Sequence, residues 1–183
     1  MLSVKTDVLL TVDKDVMTKI ITLCTTKGGT SKTSLTASLL SYWHSKKKRV
    51  AAVDADPNCN LTRRLDKGSL SDIPHVAETD EGEIIEAVEN ISGDRDLILV
   101  DVAGFGNQSM VYAIGISSFV MIPCRPSEDD VLEALKTKQV VANAAKLTRR
   151  EIPYKVVLTQ VKAGTLVIDH TLKQFQAFNV PLF

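Results

Sequence analysis

The sequence predicts a three-layer α/β sandwich, with a mainly parallel sheet and helices on both faces. Three observations lead there. Short apolar runs of strand length alternate with longer segments of helical period. The first helical segment is long enough to carry the chain over the sheet in a right-handed crossover. Acidic residues, Asp54 and Asp101, close two of the apolar runs.

Residues 20–25 and 50–54 read as the first two strands, and the helix between them sets Leu35, Leu39, Leu40 and Trp43 on one face. That face is core. The crossover makes the two strands parallel, so the loop after the first and the carboxylates ending the second open onto the same sheet edge. Residues 97–100 form a third strand ending at Asp101, and residues 118–123 and 155–159 two more. Helical patterns span residues 81–90, 108–114, 128–145 and 167–178. Residues 1–16 are read as an N-terminal extension. There Val8 to Leu10 could add an edge strand, whereas Asp7, Asp13 and Asp15 favour a solvated tail. Residues 17–183 are read as a single domain without repeats or low-complexity linkers.

Composition narrows the function classes. The 183 residues are 44% hydrophobic, enough for a substantial core. Lys+Arg and Asp+Glu each total 22, so no global field selects nucleic acid or membrane, and such binding needs a local patch. Cys24, Cys59 and Cys124 form no C-x-x-C pair, which argues against a zinc site or disulfide framework and for a reducing compartment. His44, His75 and His170 form no local metal pattern. No run approaches the roughly 18 apolar residues of a membrane span, and the start of the chain lacks a signal-peptide pattern. A cytoplasmic protein with no membrane association is expected.

Chemistry concentrates at strand ends. Residues 27–34 read K-G-G-T-S-K-T-S between a strand and a helix. Gly28, Gly29, Thr30 and Ser31 then wrap a polyphosphate with unpaired N–H groups at the positive end of the helix dipole. Lys32 reaches the β/γ-phosphates, the Thr33 hydroxyl takes a place on Mg²⁺, and Ser34 completes the motif. In V-D-A-D-P-N, Asp54 and Asp56 are close enough to repel unless a cation or water intervenes. One could hold a metal-bound water while the other orients the attacking water, although Asp-Pro and Asn are also ordinary turn formers. Asp101 follows L-I-L-V in the manner of a Walker B strand, and Gly104 with Gly106 gives a mobile turn able to sense a phosphate.

In this order the pieces resemble the ParA/MinD family of deviant Walker A ATPases, which have the P-loop NTPase fold, over about residues 17–183. That family's loop reads K-G-G-x-G-K-T-[ST]; Lys27 matches its signature lysine. Its D-x-D-P-Q-x-N motif is met by Asp54, Asp56 and Pro57, with Asn58 in the Gln position and Asn60 retained. Asp101 to Gly104 corresponds to its Walker B and switch region. V-M-I-P-C-R-P-S-E-D-D is similar to I-P-x-x-P-S-x-x-D, and V-L-T-Q-V to the strand whose end approaches the adenine.

The resemblance implies ATP and Mg²⁺ as ligands and an ATP-dependent homodimer in which Lys27 reaches the other subunit's nucleotide. It assigns catalysis to Lys27, Lys32 and Asp56, the metal to Thr33, Asp54 and Asp101, and the base to the backbone near Thr159 and Gln160. The function implied is a slow ATPase acting as a dimerisation switch in plasmid partition, with non-specific DNA binding and hydrolysis stimulated by a ParB-like centromere-binding or adaptor protein. The alternative is a weakly hydrolysing regulatory or scaffold protein in conjugative DNA transfer or cargo positioning. Residues 46–49, Arg63 with Arg64, and Arg149 with Arg150 are the candidate DNA contacts. A MinD-like membrane helix and the cluster cysteines of a nitrogenase-type reductase are not apparent.

Three departures stand out. Ser31 occupies the position of the glycine before the catalytic lysine. If the backbone there has φ > 0, a side chain costs about 1–2 kcal/mol and weakens ATP binding about tenfold or more, part of which a hydroxyl donated to phosphate would recover. Cys59 stands where the family often has Gly. The closing N-V-P-L-F matches the last core strand, where relatives continue into further helices.

Overall fold

The structure, a computed structural model, describes residues 18–104, 108–162 and 164–183. Among the described residues six parallel strands form one sheet: β1 (Lys19–Leu23), β2 (Val50–Ala55), β3 (His75–Ala77), β4 (Leu97–Val102), β5 (Phe119–Cys124) and β6 (Tyr154–Leu158), in the spatial order β3-β2-β4-β1-β5-β6. The helices are α1 (Lys32–Ser45), α2 (Asn60–Asp66), α3 (Ile84–Ser92), α4 (Gln108–Ile116), α5 (Glu128–Thr148) and α6 (Leu166–Ala177).

Both faces of the sheet are covered, which is why its strands read as continuous apolar runs rather than alternating ones. All six residues of β4 are buried, yet they serve two cores. Leu97 and Leu99 join Leu40 of α1 and Leu61 and Leu65 of α2 on one face. Ile98, Val100 and Val102 join Ile84 of α3, Ala113 of α4, Val131 of α5 and Phe175 of α6 in the other. This division is the two-residue period of a strand. Leu35, Leu39 and Trp43 pack against the first core, as the helical spacing predicts.

The loop after β1 lies where the strand order reverses, since β2 lies to one side of β1 and β5 to the other. Such a switch point opens a crevice at the carboxyl ends of the strands.

Several elements differ from expectation. Helix α2 and strand β3 are absent from the sequence reading: α2 has seven residues and buries only Leu61 and Leu65, and β3 is a three-residue edge strand, so neither repeats its period often enough to stand out. Helix α1 begins at Lys32, and α3 only at Ile84, because Asp80 holds a turn by accepting from Gly82 N and Glu83 N. The C-terminal segment is not a strand. Leu182 alone bridges Val156, because Pro181 has no N–H with which to extend a ladder. The possible strand at Val8 to Leu10 and the turn residue Gly106 lie outside the described residues. Among the described residues no helix is long and apolar enough to cross a membrane.

Candidate phosphate-binding and metal site

The centre of the sheet delivers the loop and the acids to one rim. Asp54 and Asp101 are directly opposite each other in the register of β2 and β4, both almost fully buried, and Leu23 of β1 is paired with Asp101 on the other side. The loop of residues 26–31 therefore starts beside the two carboxylates.

Gly29 and Ser31 both have positive φ, 77° and 71°, and α1 starts immediately after. The N–H groups of residues 28–31 donate to no other described residue. The Lys32 ammonium is buried and lies 3.4 Å from the Lys27 carbonyl oxygen. Burial lowers its pKa, against the attraction of Asp101, Asp56 and the Cys24 thiol. Gly104 closes over this point: a Cβ there would stand 3.2 Å from the Lys27 carbonyl carbon and 3.3 Å from Lys32 Nζ.

Asp101 is the least satisfied acid. Both its oxygens are buried without a hydrogen-bond partner among the described residues. Burial pushes its carboxyl up to about 7, the negative charges of Asp54 and Asp56 adding to the rise and the nearby Thr33 hydroxyl and Lys32 ammonium opposing it. Asp54 is better provided, accepting from Asp56 N at 3.3 Å and Thr62 N at 2.9 Å. Asp56 is half-buried and forms an Asx turn, its Oδ1 accepting from Asn58 N and Asn58 Nδ2, both at 2.9 Å. Its negative charge acts on the Lys32 ammonium, more weakly than that of Asp101.

A magnesium ion suits this donor set. Two buried carboxylate oxygens with no other partner, beside the Thr33 hydroxyl, are hard oxygen donors. Among the described residues no three His, Cys, Asp or Glu side chains could hold a metal together, so such an ion requires further oxygens from water or phosphate.

Lys27 is engaged by α5. Its ammonium is 2.7 Å from Asp130 Oδ1, and Arg125 Nε is 2.7 Å from Oδ2 of the same fully buried carboxylate. Burial works against that charge, but hydrogen bonds from Arg125, Lys27 and Ser127 prevail and hold the Asp130 carboxyl far below the usual range. Asp130 and Arg125 were not among the residues assigned a role from sequence. The signal was present, because Asp130 is the last residue of the P-S-x-x-D match.

Thr159 and Gln160, in the loop after β6, reach the phosphate loop: the Thr159 hydroxyl donates to the Thr30 carbonyl at 3.0 Å and the Gln160 amide to Ser31 Oγ at 2.8 Å. Ser34 Oγ accepts from Arg64 at 3.3 Å. Cys59 also has positive φ, 47°, so both residues that stand for glycine adopt the backbone that glycine tolerates best, each as the N-cap of a helix. Cys24 and Cys124 are buried packing residues, with thiols pushed up to about 12 by burial.

The basic clusters are partly committed elsewhere. Arg49 pairs with Asp94 and Asp96, and Arg150 donates to the carbonyls of Gly115 and Ser117. Arg63 donates to Asn60 Oδ1.

Comparison with known proteins identifies the family. The CobQ/CobB/MinD/ParA nucleotide-binding domain matches residues 21–183. The chain is 26% identical to protein ParA of Rhizobium radiobacter over 83% of its own length and 69% of that protein's, and 30% identical to protein virC1 of the same organism over 81% and 67%. Its fold is similar to that of cobyrinic acid a,c-diamide synthase from Mycobacterium smegmatis with bound ADP and magnesium, at a TM-score of 0.74 and 17% identity, covering 88% of this chain and 82% of that one. The chain belongs to the CobQ/CobB/MinD/ParA nucleotide-binding domain family and is a ParA/MinD-type P-loop ATPase domain.

Proposed function

We propose that this domain is an ATP-dependent dimerisation switch in plasmid partition, working in the cytoplasm, binding DNA without sequence preference and hydrolysing ATP slowly until a ParB-like or adaptor protein stimulates it. The observation that carries the nucleotide part is Asp101, whose two buried oxygens lack partners beside Lys32 and Thr33 at the mouth of the loop. Such a group is costly unless a ligand completes it.

In this reading the N–H groups of residues 28–31 and the Lys32 ammonium bind the phosphates. Thr33, Asp54 and Asp101 hold Mg²⁺, which when bound neutralises phosphate charge. Asp56 orients the attacking water. Lys27 reaches the nucleotide of a second copy, and its bond to Asp130 is the contact it would exchange for that one. For DNA, Lys46, Lys47, Lys48 and Arg149 are the better candidates, since Arg49 and Arg150 already serve the fold and Arg63 and Arg64 bond Asn60 and Ser34.

The test is molar mass in solution with ATP and Mg²⁺, with and without duplex DNA, for the wild type and Lys32→Ala. A nucleotide-driven dimer that the variant loses is expected, together with DNA binding that falls steeply with salt. A wild type that stays monomeric at saturating ATP would sink the switch.

Ser31 favours a second reading, a weakly hydrolysing regulatory or scaffold protein in conjugative DNA transfer or cargo positioning, because its φ of 71° places a side chain where strain is stored next to the catalytic lysine. ATP-dependent dimers whose turnover neither DNA nor a partner raises would select it.

A further inference from the structure

The loop after β6 holds three consecutive residues of the phosphate loop. Thr159 donates to the Thr30 carbonyl, the Gln160 amide donates to Ser31 Oγ at 2.8 Å, and the same amide faces the Gly29 carbonyl at 3.5 Å. Gln160 reaches this position with a φ of 54°, itself left-handed. Two residues in uncommon backbone conformations thus meet through their side chains. Glycine at position 31 would adopt the backbone more readily but would offer Gln160 nothing to bond.

We propose that Ser31 and Gln160 form a positioning pair that fastens the phosphate loop to the end of β6 and so prepares it for a nucleotide. The inference rests on the nucleotide-binding reading above and adds two residues that act together. The N–H groups of residues 28–31 have no protein partner among the described residues, so nothing else there fixes the loop through its own ladder of hydrogen bonds. A loop ordered only by its ligand charges the ordering entropy to binding, and one already tied down does not. Ser31 Oγ accepts from Gln160, which leaves the hydroxyl proton free to donate to an anionic oxygen. Without Gln160, Ser31 keeps its backbone strain and loses the tie. Gln160 should therefore matter more when residue 31 is serine, since beside glycine it keeps only the long contact to the Gly29 carbonyl.

The test is a double-mutant cycle of Gln160→Ala and Ser31→Gly, read in two ways. Backbone amide NMR order parameters of residues 28–31 are measured in the nucleotide-free protein, and MgATP and MgADP affinities by calorimetry. Gln160 is exposed, so the variant should fold, and thermal melting checks this. Gln160→Ala is expected to lower the loop's order parameters and weaken both nucleotides about three- to tenfold in the wild-type background, and beside Ser31→Gly to leave the order parameters in place and change the affinities by less than about twofold. Equal effects in the two backgrounds would overturn the pair while leaving nucleotide binding intact. Coupled loop order in a protein that binds neither nucleotide would uphold the fastening and overturn the nucleotide reading. Uncoupled loop order with no nucleotide binding would overturn both.

Discussion

The Lys27 ammonium and the Asp130 carboxylate meet at 2.7 Å, one from the phosphate loop and the other from the first turn of α5. Asp130 is shared with Arg125, so a single buried acid ties the loop to the segment that follows β5. Asp130→Asn is expected to destabilise the domain by about 1–3 kcal/mol at neutral pH, since both cations are about a third exposed and partly screened. The native carboxyl is held below its unfolded value, so its contribution is complete above about pH 4 and fades as the pH falls further. Denaturation of wild type and variant should converge in acid, and a constant gap between pH 7 and pH 3 would refute the assignment.

Asp101 behaves in the opposite sense. Its carboxyl is raised to about 7 in the folded protein, against about 4 in the unfolded chain, so folding favours the protonated form. Stability is lost as the pH rises from about 4 through 7. In nucleotide-free protein without Mg²⁺, Asp101→Asn should melt higher than wild type at pH 8, by about 2–4 kcal/mol in unfolding free energy, with the difference vanishing near pH 4. A variant less stable than wild type at pH 8 would contradict the orphaned carboxylate.

Gly104→Ala tests the closeness of β4's outgoing turn to the phosphate loop. The added methyl would meet the Lys27 backbone at 3.2 Å, and backbone yields less easily than a side-chain tip. Nucleotide affinity should fall about tenfold or more while the melting temperature shifts by only a few degrees. Unchanged binding would place Gly104 outside the site.

At Cys59 the structure predicts relief. Cys59→Gly removes a side chain from a φ of 47° and should stabilise the domain by about 0.5–1 kcal/mol, measured by urea denaturation. Loss of stability would mean that the thiol, which lies 3.8 Å from the Pro57 carbonyl, contributes more than the backbone costs.

The central strands and long helices were legible because burial on both faces writes unbroken apolar runs and clear helical stripes into the sequence. Asp54, Asp101 and Lys32 were legible because motifs at strand ends are local in sequence. Helix α2 and strand β3 were not, since each is too short to repeat its period enough to stand out. The bonds of Lys27 to Asp130 and of Gln160 to Ser31 join residues more than a hundred positions apart, and no local pattern specifies such pairs. Arg150 misled for a related reason: a basic doublet at a helix end looks solvated, whereas its guanidinium holds the carbonyls of Gly115 and Ser117.

The short bridge at Leu182 bears on aggregation. Val156 spends its outward N–H on the Pro181 carbonyl and its carbonyl on Phe183 N, so the middle of β6 offers no open ladder to a foreign strand. The opposite border of the sheet is only three residues long. With both margins blunted, runaway strand addition is discouraged.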